Sequence, residues 1–280
     1  MPFRLASLHV YPIKGAAGIS PREWEVDRRG LRYDRRWMLV EPSGEFLTQR
    51  EVPELALVRP RIEPPHLVVE APAMTELRLP LHPMGGRRKR VRIWHDRVEA
   101  LLPDQRADQW FTDYLGTPTG LAWLPEDADR PVDPAYAEAA HQVSFADGFP
   151  FLVIGQASLD DLNRRLAVPL PMNRFRPNLV VAGAEPFAED DWRRVRIGEL
   201  ELDVVKPCAR CVVTTTDQQT AERGVEPLRT LATYRRIDGK VMFGQNALHD
   251  RPGRLAQGDR VTVMQSRVDS GAVALKGDDR

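Results

Sequence analysis

Seven prolines, Pro53, Pro60, Pro64, Pro65, Pro72, Pro80 and Pro83, crowd a short stretch of the 280-residue chain. Proline lacks the backbone N–H and clashes with the preceding helical turn, so no long helix can cross this region. Its apolar residues instead read as short strands bounded by Pro and Gly, and strands continue on both sides: Phe3 to Ile13, Trp37 to Glu41, Phe46 to Gln49, Leu67 to Glu70 and Val91 to Trp94. The first third is therefore expected to be a β-rich, barrel-like or sandwich-like unit. The first helix is predicted at Ala107 to Tyr114.

A polar, acidic loop is expected over Pro125 to Glu138, after which the pattern changes. Phe151 to Ile154 reads as a buried strand and Ser158 to Leu166 as a helix, with Ser158 and Asp161 spaced like a capping box. Asn178 to Ala182, Arg194 to Ile197, Glu199 to Val205 and Val212 to Thr216 read as further strands. A helix near Pro227 to Arg235 and strands at Val241 to Gly244 and Arg260 to Met264 follow. The predicted class is α/β and β-rich. At 31.7 kDa the chain exceeds the usual single-core size, which suggests two closely packed parts, residues 1–124 and 125–268, with a disordered tail at 269–280.

Forty basic and forty acidic residues give a formal net charge of zero, which removes the generic electrostatic case for nucleic acid or an anionic membrane. The basic run Gly86 to Arg90 is read as a solvated loop. No apolar run reaches the roughly 18 to 20 residues that span a bilayer. The opening MPFRLASLHVYPIKG has no signal-peptide pattern, so a cytoplasmic location is expected.

The two cysteines of the chain stand in Lys206-Pro-Cys-Ala-Arg-Cys-Val-Val-Thr-Thr-Thr-Asp217. Four readings are open for Cys208 and Cys211. A thioredoxin-like dithiol needs a helix N-terminus, but the β-branched run that follows is a poor helix. A structural zinc site needs four ligands, and no histidines stand at zinc-finger spacing. Two inert apolar cysteines form the third reading. The fourth is one soft thiolate serving a metal cofactor that brings its other ligands, with Lys206 and Arg210 beside it to favour the charged sulfur.

This stretch resembles the signature of the MOSC family, the molybdenum cofactor sulfurase C-terminal domain proteins, in the subgroup of the mitochondrial amidoxime-reducing component and its bacterial relatives. Tyr11-Pro-Ile-Lys14, Leu31 to Trp37, Pro150 to Ile154 with Ala157 to Asn163, Phe175-Arg-Pro-Asn178, and Phe243-Gly244 with Gly258-Asp259 resemble other family segments, in the family's order. The resemblance implies a MOSC-type β-barrel core with an N-terminal MOSC-associated barrel-like part, and a molybdenum cofactor (molybdopterin) between the two parts. It makes Cys211, not Cys208, the metal ligand and the catalytic position. The other cofactor-binding positions it implies are Lys14, Gly15, Arg35, Asp147, Gly148, Phe149, Arg176, Asn178, Ala209 and Arg210. Gly15, Gly148, Phe149 and Ala209 stand where relatives carry hydroxyl side chains, so backbone amides would have to replace those hydroxyls.

The implied activity is reduction of N-hydroxylated small molecules: amidoximes, hydroxylamines and N-hydroxylated bases. Two cysteines cannot hold an iron–sulfur cluster that needs four, and no flavin or nicotinamide fingerprint is present. Electrons are therefore expected from a separate ferredoxin-like, cytochrome b5-like or flavin reductase partner. The competing expectation is a non-catalytic carrier of the cofactor, or of sulfur, on Cys211.

Overall fold

The computed structural model describes residues 2–137 and 141–267; the tail expected at 269–280 lies outside them. Seven strands close into a barrel in the order Phe151–Gly155, Leu179–Ala182, Phe3–Leu8, Arg260–Ser266, Trp192–Ile197, Leu200–Ala209 and Lys240–His249, and the last pairs back to the first. Closure leaves no free edge, which is how a sheet of this size avoids exposing unpaired backbone groups. One neighbouring pair is parallel, Val153 opposite Leu179, and the helix Gln156–Arg165 makes the crossover that such a pair requires. Alternate residues point inward, and Leu5, Val153, Val181, Val195, Leu202, Ala247 and Val261 pack into one buried cluster. Each of the valines and leucines contributes roughly 1.5 to 3 kcal/mol by leaving water.

The first strand, Phe3–Leu8, is a stave of this barrel although it precedes the whole N-terminal region. Beyond it the chain builds a four-stranded sheet in the order Trp37–Val40, Gly120–Trp123, Asp96–Leu102, Arg87–Ile93 and a three-stranded sheet of Arg59–Glu63, His66–Glu70 and Leu77–Pro80. The helix Gln105–Leu115 buries Ala107, Trp110 and Phe111 into the core these sheets share. Asp104 caps its start by accepting from the Arg106 N–H, and Gly116 ends it in the left-handed conformation.

Several sequence expectations are corrected. The basic run at 87–90 is strand, not loop: Arg87–Ile93 forms a full ladder with Asp96–Leu102 at the edge of its sheet, where charged side chains are tolerated. Phe46 to Gln49 forms only an isolated bridge from Phe46 to Val40. The helix after Phe151–Gly155 starts at Gln156, so Ser158 is no cap. Its hydroxyl lies against the buried Glu189 carboxylate at 2.8 Å and accepts from the Phe187 N–H. Val212–Thr215 is a 3-10 turn, because the Thr214 and Thr215 hydroxyls bond the carbonyls of Cys211 and Val212 and close the chain on itself.

Candidate active site

Four separated stretches converge on one cleft between the barrel and the N-terminal region. The first two run side by side: Tyr11 N–H donates to Asp34, Arg35 N–H to the Tyr11 carbonyl, and Lys14 N–H to the Trp37 carbonyl. This lattice sends Lys14 and Arg35 toward the cleft. The third is the Phe175–Asn178 turn, in which Arg176 adopts φ +54°. The fourth is the end of Leu200–Ala209, whose pairing with Lys240–His249 slips between Val204 and Lys206 and again between Pro207 and Ala209. Such irregularities re-aim side chains at strand ends, and they also accommodate Pro207 within a sheet.

The cofactor-binding positions that the family resemblance implies all line this cleft: Lys14, Gly15, Arg35, Asp147, Gly148, Phe149, Arg176, Asn178, Ala209, Arg210 and Cys211. Lys206 does not. It turns away and rests over the Tyr136 ring at 4.4 Å, so the expected help from Lys206 to the thiolate is corrected. Cys208 is also not the buried packing residue of the apolar reading, for it is half-buried in the same cleft with Arg210 Nη1 at 2.9 Å from its sulfur.

The charges are arranged unequally. Lys14 Nζ donates to Asp147 Oδ1 at 2.5 Å. Burial pushes the Lys14 ammonium below its ordinary range, against the charge and hydrogen bond of Asp147. The Asp147 side chain is flanked by protein yet opens onto the cleft; burial acts to raise its carboxyl, but Lys14, the Trp94 N–H and the Arg50 charge hold it below the usual carboxylate range. Arg35 pairs with Asp34 at 2.5 Å and reaches Asn178 Oδ1. Asn178 is buried, and its amide donates to the His9 carbonyl and accepts from Leu152 N–H, so it holds Arg35 and the strands in place. The Tyr11 ring lies between the Arg35 and Arg176 guanidinium groups at 4.3 and 4.4 Å, and burial pushes its hydroxyl up to about 12.

Two buried guanidinium nitrogens on the barrel side, Arg176 Nη2 and Arg210 Nε, have no hydrogen-bond partner among the described residues. Unanswered buried N–H groups on cations fit an anionic ligand. Gly15 has φ +86°, and a Cβ there would meet Leu55 at 3.1 Å, so a serine hydroxyl at this position would come with backbone strain. Among the described residues no three His, Cys, Asp or Glu side chains gather to hold a metal by themselves, so a metal here needs donors from a cofactor in addition to a cysteine.

Residues 2–118 match the MOSC N-terminal beta barrel domain and residues 140–262 the MOSC domain. The mouse mitochondrial amidoxime-reducing component 1 is 34% identical over 278 residues, covering 93% of this chain and 82% of that protein. The chain belongs to the MOSC family. The human mitochondrial amidoxime-reducing component 1 is 32% identical over 278 residues with the same coverage. The rice molybdenum cofactor sulfurase is 34% identical over 261 residues, 86% of this chain but 32% of that protein, so this MOSC chain spans about a third of the sulfurase. No helix among its described residues is long and apolar enough to cross a membrane.

The MOSC cleft also contains residues that sequence reasoning missed. Arg50 places Nη2 at 3.2 Å from the Cys211 sulfur, and its guanidinium stacks on Trp94 at 4.5 Å. Gln49 donates to the Gly15 carbonyl and meets Gln218, tying the two sides together. Nothing in Leu47-Thr-Gln-Arg50 marks these residues before the fold brings them to the cleft.

Proposed function

We propose that this chain holds a molybdenum cofactor in the cleft through Cys211, and that it reduces N-hydroxylated compounds with electrons from a separate redox protein. The observation that carries this reading is the convergence of the half-buried Cys211 thiol with Lys14, Arg35, Arg176 and Arg210 on one cleft, with Arg176 Nη2 and Arg210 Nε left without a partner among the described residues. The amidoxime-reducing relatives, which share most of their length with this chain, support the reaction class.

When bound, the cofactor supplies two-electron chemistry that no side chain here can provide. Cys211 offers the soft sulfur such a metal favours. Arg176 Nη2 and Arg210 Nε offer fixed donors to the anionic and hydrogen-bonding parts of the cofactor. Lys14 and Asp147 stand on the opposite wall as a preformed pair. The electrons would come from a ferredoxin-like, cytochrome b5-like or flavin reductase donor.

The sulfurase relatives favour a second reading, a carrier that holds the cofactor or a sulfur atom on Cys211 without reducing substrate. Molybdenum content and benzamidoxime reduction with an artificial reductant, measured on Cys211→Ala and Cys208→Ala, separate these possibilities. The reductase reading expects molybdenum and turnover in the parent, loss of turnover in Cys211→Ala, and retention of most of both in Cys208→Ala. Because Cys208 is half-buried, its truncation should cost under about 1 kcal/mol of stability. A molybdenum-loaded parent that never reduces the amidoxime favours the carrier, and full activity in Cys211→Ala overturns both readings.

A further inference from the structure

We infer that Arg50, held by Trp94, is a positioning residue for the Cys211 sulfur, keeping one guanidinium hydrogen bond on it as it serves as a metal ligand; this rests on the proposed role of Cys211.

The contact is long-range and supported from several directions. Arg50 Nη2 lies 3.2 Å from Cys211 Sγ across 161 residues of sequence. The Arg50 backbone is fixed on both sides, its N–H donating to Thr48 Oγ1 at 2.9 Å and its carbonyl accepting from Arg223 Nη2 at 2.5 Å. Its guanidinium plane rests over Trp94, which stands between the paired strands Arg87–Ile93 and Asp96–Leu102 with φ +55°. Trp94 is itself held by two contacts, its Nε1–H donating to Asp147 Oδ1 at 3.2 Å and its ring meeting Phe46 edge-on. The result is a continuous series, Lys14 to Asp147 to Trp94 to Arg50 to Cys211, that runs from the N-terminal wall to the thiol.

The proposed anion contacts leave Arg50 out, because they fall to Arg176 and Arg210. Its chemistry suits the sulfur instead. A ligating group is oriented and its donor strength set by the hydrogen bond it receives from the surrounding protein. A planar cation braced on an aromatic face loses little freedom in giving that bond. Cys208 is the natural internal comparison, since its sulfur faces Arg210 rather than Arg50.

The test uses the full chain prepared without molybdenum, so it does not depend on the cofactor reading. Each cysteine is alkylated with anionic iodoacetate and with neutral iodoacetamide, and the rate ratio is read by mass spectrometry. Trypsin cuts after Arg210 and so places Cys208 and Cys211 in different peptides. Removing a cation next to the sulfur in Arg50→Gln should lower the Cys211 ratio about fivefold, the scale of a screened contact charge, and leave the Cys208 ratio unchanged. Arg50→Lys should restore much of it, and Trp94→Leu should lower it while Trp94→Phe, which keeps a ring beneath the guanidinium, lowers it less. In molybdenum-loaded protein, Arg50→Gln should also shift the thiolate-to-metal absorption band at unchanged metal content. An unchanged Cys211 ratio in Arg50→Gln, or equal falls at both cysteines, overturns the inference. If Arg50→Gln does not fold, the Trp94→Leu and Trp94→Phe pair decides it. Absence of molybdenum with the ratio changes intact would sink the cofactor reading and leave the Arg50 contact standing.

Discussion

The two walls of the cleft carry similar cations and treat them in opposite ways. On the N-terminal wall Lys14 is answered by Asp147, and Arg35 by Asp34 together with the Asn178 and Arg176 oxygens. On the barrel wall Arg176 reaches Gln218 at 3.4 Å and the Tyr11 face, and Arg210 reaches the Phe175 carbonyl and the Cys208 sulfur, while a nitrogen of each stays buried without a partner among the described residues. Leaving buried charge unanswered costs free energy that folding must offset elsewhere. The first wall is therefore organised by the fold itself, and the second keeps donors that the proposed cofactor would answer.

The sharpest way to break this contrast is Arg35→Met. Asp34 is almost fully buried, and without Arg35 its carboxylate keeps only the Tyr11 N–H at 2.8 Å and the Asn178 side chain as partners, neither of them charged. Removing one partner of a buried pair should cost about 3 to 5 kcal/mol, read as a fall in the urea-unfolding free energy. Adding Asp34→Asn should return most of it, since the amide oxygen can still accept from Tyr11. A loss under about 1 kcal/mol in Arg35→Met would show that the N-terminal wall is not held by its pairs.

How much of this was legible in the sequence follows from where the information lies. Tyr11 to Lys14, Leu31 to Trp37, Phe175 to Asn178 and Lys206 to Asp217 could be recognised because each is a short contiguous stretch that resembles a MOSC family segment, and all four reach the cleft. Arg50 could not, being one of forty basic residues with no local pattern; its meaning comes from a contact 161 residues away. The entry of Phe3–Leu8 into the barrel was invisible for the same reason, since pairing with Leu179–Ala182 and Arg260–Ser266 is a property of topology. The turn at Val212–Thr215 misled because β-branched side chains favour strands on average, while here two threonine hydroxyls satisfy the backbone locally.

A smaller effect tests the layer behind the walls. His9 N–H donates to the Asn178 carbonyl and its own carbonyl accepts from the Asn178 amide, so the residue clamps the Asn178 that Arg35 leans on. Its ring sits between Ser7 and Ser20, and burial pushes its pKa down to about 4. The unfolded ring takes its proton near 6.5 and the folded ring near 4, so between these values the unfolded state binds more protons and stability falls as pH falls. With its partial exposure allowed for, His9 should account for about 1 to 2 kcal/mol of the stability lost between neutral and mildly acid solution. His9→Gln should flatten that part of the profile in urea titrations. An unchanged slope would mean the ring is protonated without penalty.

Arg176→Met should give the smallest change in stability and the one with the opposite sign. Burial pushes the Arg176 guanidinium down to about 10, the Tyr11 hydroxyl acting against this and the Arg35 charge with it, so at neutral pH the side chain stays charged at an energetic cost. Methionine keeps an unbranched side chain against Tyr11 and removes that charge. Such replacements are often neutral or stabilising, so cofactor-free Arg176→Met should unfold at the same or slightly higher urea concentration, a gain of up to about 1 kcal/mol. The same variant should lose molybdenum when prepared in a cofactor-competent host, because a guanidinium of the cleft lining is gone. Destabilisation on the scale of Arg35→Met would make both walls equally structural, and full molybdenum retention would remove Arg176 from the ligand side of the comparison.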